Sequence, residues 1–126
     1  MKLLNLVYDK NWITKDGELA KEDYSLSNIV FLFGDTDYIK DENRFFELRN
    51  LFPNAKIVGC SSSGNIFNSA VTNFPIVATA IAFDSATVEI SSISFNDNDD
   101  VEKLSEDLIN KLPKENLKHI FLMSDG

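Results

Sequence analysis

Ile29-Val30-Phe31-Leu32-Phe33-Gly34-Asp35, read together with Ala55-Lys56-Ile57-Val58-Gly59-Cys60 downstream, is the stretch that decides the fold. The first is a continuous apolar run closed by a Gly-Asp turn signal, the pattern of a strand buried on both faces. Between the two, Asp41 to Phe52 reads as a helix. Phe45, Leu48 and Phe52 stand at i, i+3 and i+7 on one side of it, and Pro53-Asn54 stops it. A strand–helix–strand unit of this kind normally sets its strands parallel, joined by a right-handed crossover. The fold class that follows is α/β with a mixed sheet.

Outward from this unit, Leu3 to Tyr8 reads as a short strand. Asp9 to Asn28 is a polar excursion with an Asp16-Gly17 turn signal, pinned by Trp12, Ile13 and Leu19. Ile76–Phe83 and Thr87–Phe95 read as strands, and the short Asp84-Ser85-Ala86 connection predicts an antiparallel hairpin. The alternation of the second strand loses its phase near Ser91, which predicts a bulge. Asp99 with Glu102 forms a capping box for a helix with Val101, Leu104, Leu108 and Leu112 as its apolar stripe, ended by Pro113. Ile120 to Met123 reads as a last strand and Ser124-Asp125-Gly126 as a turn. The expected sheet has about five to six strands, with two main helices largely on one face. The other face, rich in Phe and Ile, then needs cover from further sequence or from a second copy of the chain, a homodimer. A chain that stops on a turn signal after a buried strand predicts the N-terminal part of a larger domain, with 1–126 as one domain.

Composition narrows the function classes. The 126 residues carry a formal net charge of −8, with a pI near 4.5. A negative field repels phosphate backbones and anionic lipid, which argues against nucleic acid and membrane surfaces as partners. The acidic cluster Asn96-Asp97-Asn98-Asp99-Asp100 reads as a solvated turn leading into a helix, because Asp and Asn favour turns and N-caps. It lacks the glycine and the distal Glu of a calcium loop. The single Cys permits no internal disulfide, which fits a cytoplasmic location. The N-terminal apolar run is too short for a signal peptide, and no stretch approaches the roughly 20 apolar residues of a membrane helix. The ten Phe residues imply aromatic-rich packing, or an aromatic surface that something else covers.

Gly59-Cys60-Ser61-Ser62-Ser63-Gly64 is the candidate ligand site. It stands where a parallel strand ends, and ligands of open α/β sheets bind outside the carboxyl ends of strands. Small side chains let backbone amides approach a ligand, yet the same hydroxyls can satisfy the loop's own backbone. The glycine spacing copies a phosphate loop, but Asn65 stands where the lysine must be, and Ile66 where Ser or Thr would hold magnesium. Cys60 reads as a small buried thiol rather than a nucleophile partnered by His119. His119 reads as a strand-edge residue, since no second metal or haem ligand stands at a recognisable spacing. Asp125 follows its strand as Ser61 follows the earlier one. It reads as a turn residue, or as the partner of a ligand ammonium if the two strands are parallel neighbours.

Phe52-Pro53-Asn54-Ala55-Lys56-Ile57-Val58-Gly59-Cys60-Ser61-Ser62-Ser63-Gly64-Asn65-Ile66 resembles the signature segment of the FIST domain family (F-box and intracellular signal transduction). Ile29 to Asp35 resembles its preceding strand, and Ile120 to Gly126 a later strand closing on Asp-Gly. The resemblance covers residues 28 to 126 and departs at Asn65, where many members carry Glu, and at residues 9 to 28, which lack an opening helix. It implies a non-catalytic intracellular sensory domain, found in proteins with kinase, cyclase or chemoreceptor modules and binding small ligands such as amino acids. It also attaches haem and nitric oxide sensing to some members. Carried over by motif, the positions at stake are Gly59, Cys60, Ser61, Ser62, Gly64 and Asp125. An attached or partner signalling domain would read the signal.

Overall fold

A computed structural model describes residues 1–14 and 21–124, without the side chains of residues 21–23. These fall into two units, Met1–Thr87 and Val88–Gly126. The first contains β1 (Lys2–Asp9), β2 (Asn11–Thr14), a 3-10 helix (Lys21–Leu26), β3 (Ile29–Gly34), α1 (Thr36–Ile39), α2 (Glu42–Leu51), β4 (Lys56–Ser61), β5 (Asn65–Phe67), β6 (Ala70–Thr72) and β7 (Ile76–Ala82). The mixed α/β class read from the sequence is what the structure shows: a five-stranded sheet of order β2-β1-β7-β3-β4, and a two-stranded sheet of β5 and β6. Two of the sequence expectations in the excursion, the Asp16-Gly17 turn and Leu19, lie outside the described residues.

β3 and β4 pair in parallel, with Val30 opposite Ile57 and Phe33 opposite Cys60. β7 pairs antiparallel with β3 on one side and with β1 on the other. Side chains alternate between the faces of a strand, so one face of the sheet collects Leu4, Leu6, Tyr8, Val30, Leu32, Ile76, Ala78, Ala80 and Ala82. All of these are buried, and they pack with Leu48, Phe52 and Ala55. α2 therefore covers this face. Fully burying side chains such as Leu48 and Phe52 contributes about 1.5–3 kcal/mol each.

α2 starts at Asp41, whose carboxylate accepts the backbone N–H of Asn43 at 3.0 Å. The Asn43 N–H, with help from Arg44, holds the Asp41 carboxyl below its ordinary value. Arg44 ties the helix to the first strands. It donates to the Tyr8 hydroxyl and pairs with Glu47 at 2.9 Å, and Glu47 also accepts the Trp12 indole N–H at 2.9 Å. Tyr24 stacks on Phe52 with ring centres 5.1 Å apart. Trp12 thus pins the excursion, as its sequence position suggests, whereas Ile13 is exposed.

Three expectations change: the hairpin, its bulge and the place of Phe45. Ile76–Ala82 is a strand, but Thr87–Phe95 is not, so the hairpin and its bulge at Ser91 do not form. Both edges of β7 are taken by β1 and β3, which leaves no ladder for a following strand to join. Phe45 does not join the apolar face of α2. It is 41% exposed, packs edge to face on Phe46, and lies under the Arg49 guanidinium.

The second unit contains α3 (Val101–Asn110). Its cap is Asp100, one residue later than the capping box predicts, and the Asp100 carboxylate accepts from Glu102 N and Lys103 N. Asp99 instead accepts the Asn96 N–H at 2.8 Å, closing the turn read from the acidic cluster. Leu104, Leu108 and Leu112 are half-buried and Val101 is exposed. Ile120–Met123 carries no strand assignment, contrary to expectation.

Leu48→Ala is expected to lower the unfolding free energy by about 2–5 kcal/mol in urea denaturation, and Phe45→Ala by less than about 1 kcal/mol. Equal losses would contradict this placement of the helix. The lowered Asp41 carboxyl gives a stabilising contribution that is full above its ordinary value of 3.8 and is lost as pH falls through the lower folded value. An Asp41→Asn variant should therefore show a smaller loss of stability on acidification, read as Tm against pH.

Candidate functional site

The signature segment is not one loop. β4 runs through Ser61, so Gly59 and Cys60 are strand residues and the turn is confined to Ser62-Ser63-Gly64. Strand alternation then divides the motif. Gly59 pairs with Leu32 and Ser61 with Gly34, on the face that carries α2. Cys60 pairs with Phe33 on the opposite face.

The end of β3, the serine turn and the segment before β7 are joined by hydrogen bonds. Ser62 N donates to Gly34 O at 2.8 Å, and Asp35 N donates to Pro75 O at 2.8 Å. The Ser62 hydroxyl donates to Asn65 Oδ1 at 2.7 Å. Asn65 Nδ2 donates to Phe74 O at 2.8 Å and reaches Pro75 O at 3.4 Å. Asn65 is buried, 4% exposed, so its polar atoms are satisfied inside the protein. The position where a phosphate loop needs a lysine is therefore a structural amide.

The glycines differ in role. A Cβ on Gly59 would meet the Leu32 carbonyl oxygen at 2.2 Å, and one on Gly34 would meet the Pro75 oxygen at 2.4 Å, so both are required by close backbone approach. A Cβ on Gly64 would meet nothing within 4 Å. Its glycine answers to no neighbour inside the described protein.

Cys60 is exposed, which corrects the expectation of a buried thiol: β4 is an edge strand, and its outer residues have no neighbouring strand to cover them. Among the described residues no hydrogen bond joins Cys60 to a base. His119 is exposed, on a segment without regular structure in the second unit. A lone exposed histidine does not enclose a porphyrin, so the described residues do not fit a haem site. Among them, no group of three His, Cys, Asp or Glu side chains could hold a metal ion. Asp125 lies outside the described residues.

Sequence reasoning missed Asp35 as a site residue. It follows Gly34, the partner of Ser61, at the carboxyl end of β3, and it is exposed. It sits at the cap position of α1, its side chain makes no capping hydrogen bond, and it follows directly on Gly34, whose carbonyl accepts the Ser62 N–H. The signal that could have found it is Gly34-Asp35 closing an apolar strand next to the motif strand.

A model of the FIST N domain matches residues 28–126, most of the chain. The chain belongs to the FIST family. No curated relative and no solved structure matches it. FIST domains are associated with sensory roles in signal transduction. In this FIST domain the match begins one residue before β3, so β1 and β2 precede it, although β1 is an integral neighbour of β7. The region ahead of the match holds β2 and the 3-10 helix rather than the family's opening helix. No helix among the described residues is long and apolar enough to cross a membrane.

Gly59→Ala is expected to cost this FIST domain about 1–3 kcal/mol, because backbone must shift to admit the methyl group. Gly64→Ala should change stability by no more than about 0.5 kcal/mol. Thermal unfolding of the two variants side by side checks the contrast.

Proposed function

We propose that this domain is a non-catalytic, cytoplasmic sensory module that binds a small molecule, an amino acid, where β3 and β4 end. The observation that carries the reading is that an uncommitted carboxylate and open small residues lie at strand ends joined by the Ser62 N–H to Gly34 O bond. Asp35 makes no capping bond, Ser61 and Ser63 are exposed, and the space beside Gly64 is free. An amino acid presents an ammonium and a carboxylate. Asp35 suits the first, and serine hydroxyls and turn amides suit the second. The carboxyl end of a parallel pair is also where α/β sheets receive ligands. Gly59 and Ser62 hold the strand and turn in place. Membership of a sensory family supports the same direction.

Binding would bias the packing of an attached or partner signalling domain. Phe45 and Phe46, 41% and 56% exposed on α2, offer apolar surface for such a contact.

Isothermal titration of the full chain against the common amino acids tests the reading. One or a few should bind saturably, and Asp35→Asn and Ser61→Ala should each weaken them about tenfold or more, as loss of a charge-assisted hydrogen bond implies. Gly64→Ala, which crowds only the open side, should weaken them too. No heat from any amino acid, or binding indifferent to all three changes, rejects the site.

A further inference from the structure

The sheet face opposite α2 carries a cleft of about 270 Å³. Its floor is a row across three strands in which Asn5 pairs with Thr79, and Thr79 with Phe31. Phe33 and Val77 form the neighbouring row, and Phe67 of β5 lines the cleft from the β5–β6 hairpin. No charged side chain is among the residues that line it.

Three of the nine lining residues are polar, Asn5, Thr79 and Asn68, and the first two are bonded to each other. The Thr79 hydroxyl donates to Asn5 Oδ1 at 2.9 Å. That bond uses the acceptor of the Asn5 amide and leaves its NH₂ donors without a partner among the described residues. Six apolar or aromatic residues and three polar ones make up the lining, and small-molecule sites likewise combine such walls with a few placed polar groups. The volume falls just under the range of roughly 300–1,000 Å³ for drug-sized ligands, which suits one or two rings. The absence of a charged lining residue disfavours an ionic ligand, since an unpaired charge is costly to bury.

We propose that this cleft is a second binding site, for a small, flat, uncharged molecule of one or two rings that carries a carbonyl or ring-nitrogen acceptor. The rings lie against Phe33, Val77 and Phe67, and the acceptor takes the Asn5 amide N–H. The site stands on the other face from Ser61 and does not depend on the amino-acid reading.

The test uses 2-quinolone, a neutral two-ring amide, and naphthalene, which has the rings without the acceptor. Both are titrated into the isotopically labelled full chain and followed by amide chemical shifts. The proposal expects saturable 2-quinolone shifts centred on Asn5, Phe33, Phe67, Val77 and Thr79, with naphthalene several-fold weaker at the same residues. Asn5→Leu should cut 2-quinolone affinity about fivefold, the worth of one hydrogen bond, and leave naphthalene binding intact. Val77→Trp should fill the cleft and abolish both, while Ser61→Ala should change neither. Shifts that centre elsewhere, shifts that never saturate, or no shifts at all overturn the proposal on the wild-type chain alone, whatever the variants do. An unchanged preference for 2-quinolone in a folded Asn5→Leu chain removes the assigned role of Asn5 and overturns it equally.

Discussion

β7 is hydrogen-bonded along both of its edges, and the first unit is arranged around that fact. Both of its partners precede it in sequence, β1 at the N-terminus and β3 in the strand–helix–strand unit. Toward α2 it presents Ala78, Ala80 and Ala82, while the flanking strands present Leu4, Leu6, Val30 and Leu32. A small central row between larger flanking rows leaves room for the Leu48 and Phe52 side chains, and close packing of this kind tolerates little change in volume. On the reverse face the same strand supplies Val77 and Thr79 to the cleft floor. The position of β7 thus sets the helix contact, the cleft and the direction of the carboxyl ends of β3 and β4.

The parts of the fold that were legible in sequence were those whose signals are local. The apolar run of β3, the stop of α2 and the glycine after Lys56-Ile57-Val58 each carry their own information, and the parallel pairing follows from the helix between the strands. The hairpin expected at Thr87–Phe95 failed because neighbours in sequence were assumed to be neighbours in the sheet. Long-range pairing with β1 and β3 had already filled both edges of β7, a fact that no window around Asp84 contains. β5 and β6 went unread because each is only three residues long. Their turn did leave a trace: Asn68 adopts a φ of 55°, a conformation that Asn tolerates better than most residues.

The candidate site was half legible. Composition and position singled out residues 59–64, but a run of letters does not say where a strand stops. Once β4 extends through Ser61, pleating sends Cys60 to one side and Ser61 to the other, so the motif is two surfaces rather than one. Gly59 and Gly64 look alike in sequence and differ only in what surrounds them, which is a tertiary property. Asp35 was invisible for the same reason, since its nearness to the serine turn exists only through strand pairing.

The bonds that run from Ser62 through Asn65 to Phe74 and Pro75 join only neutral groups. An ionisable side chain buried at position 65 would have made the shape of the turn depend on proton concentration and, through its counter-charges, on ionic strength. An amide removes both dependences. Nothing in these bonds titrates near neutral pH or is screened by salt, so the turn they hold is insulated from the acidity and ionic strength of the medium.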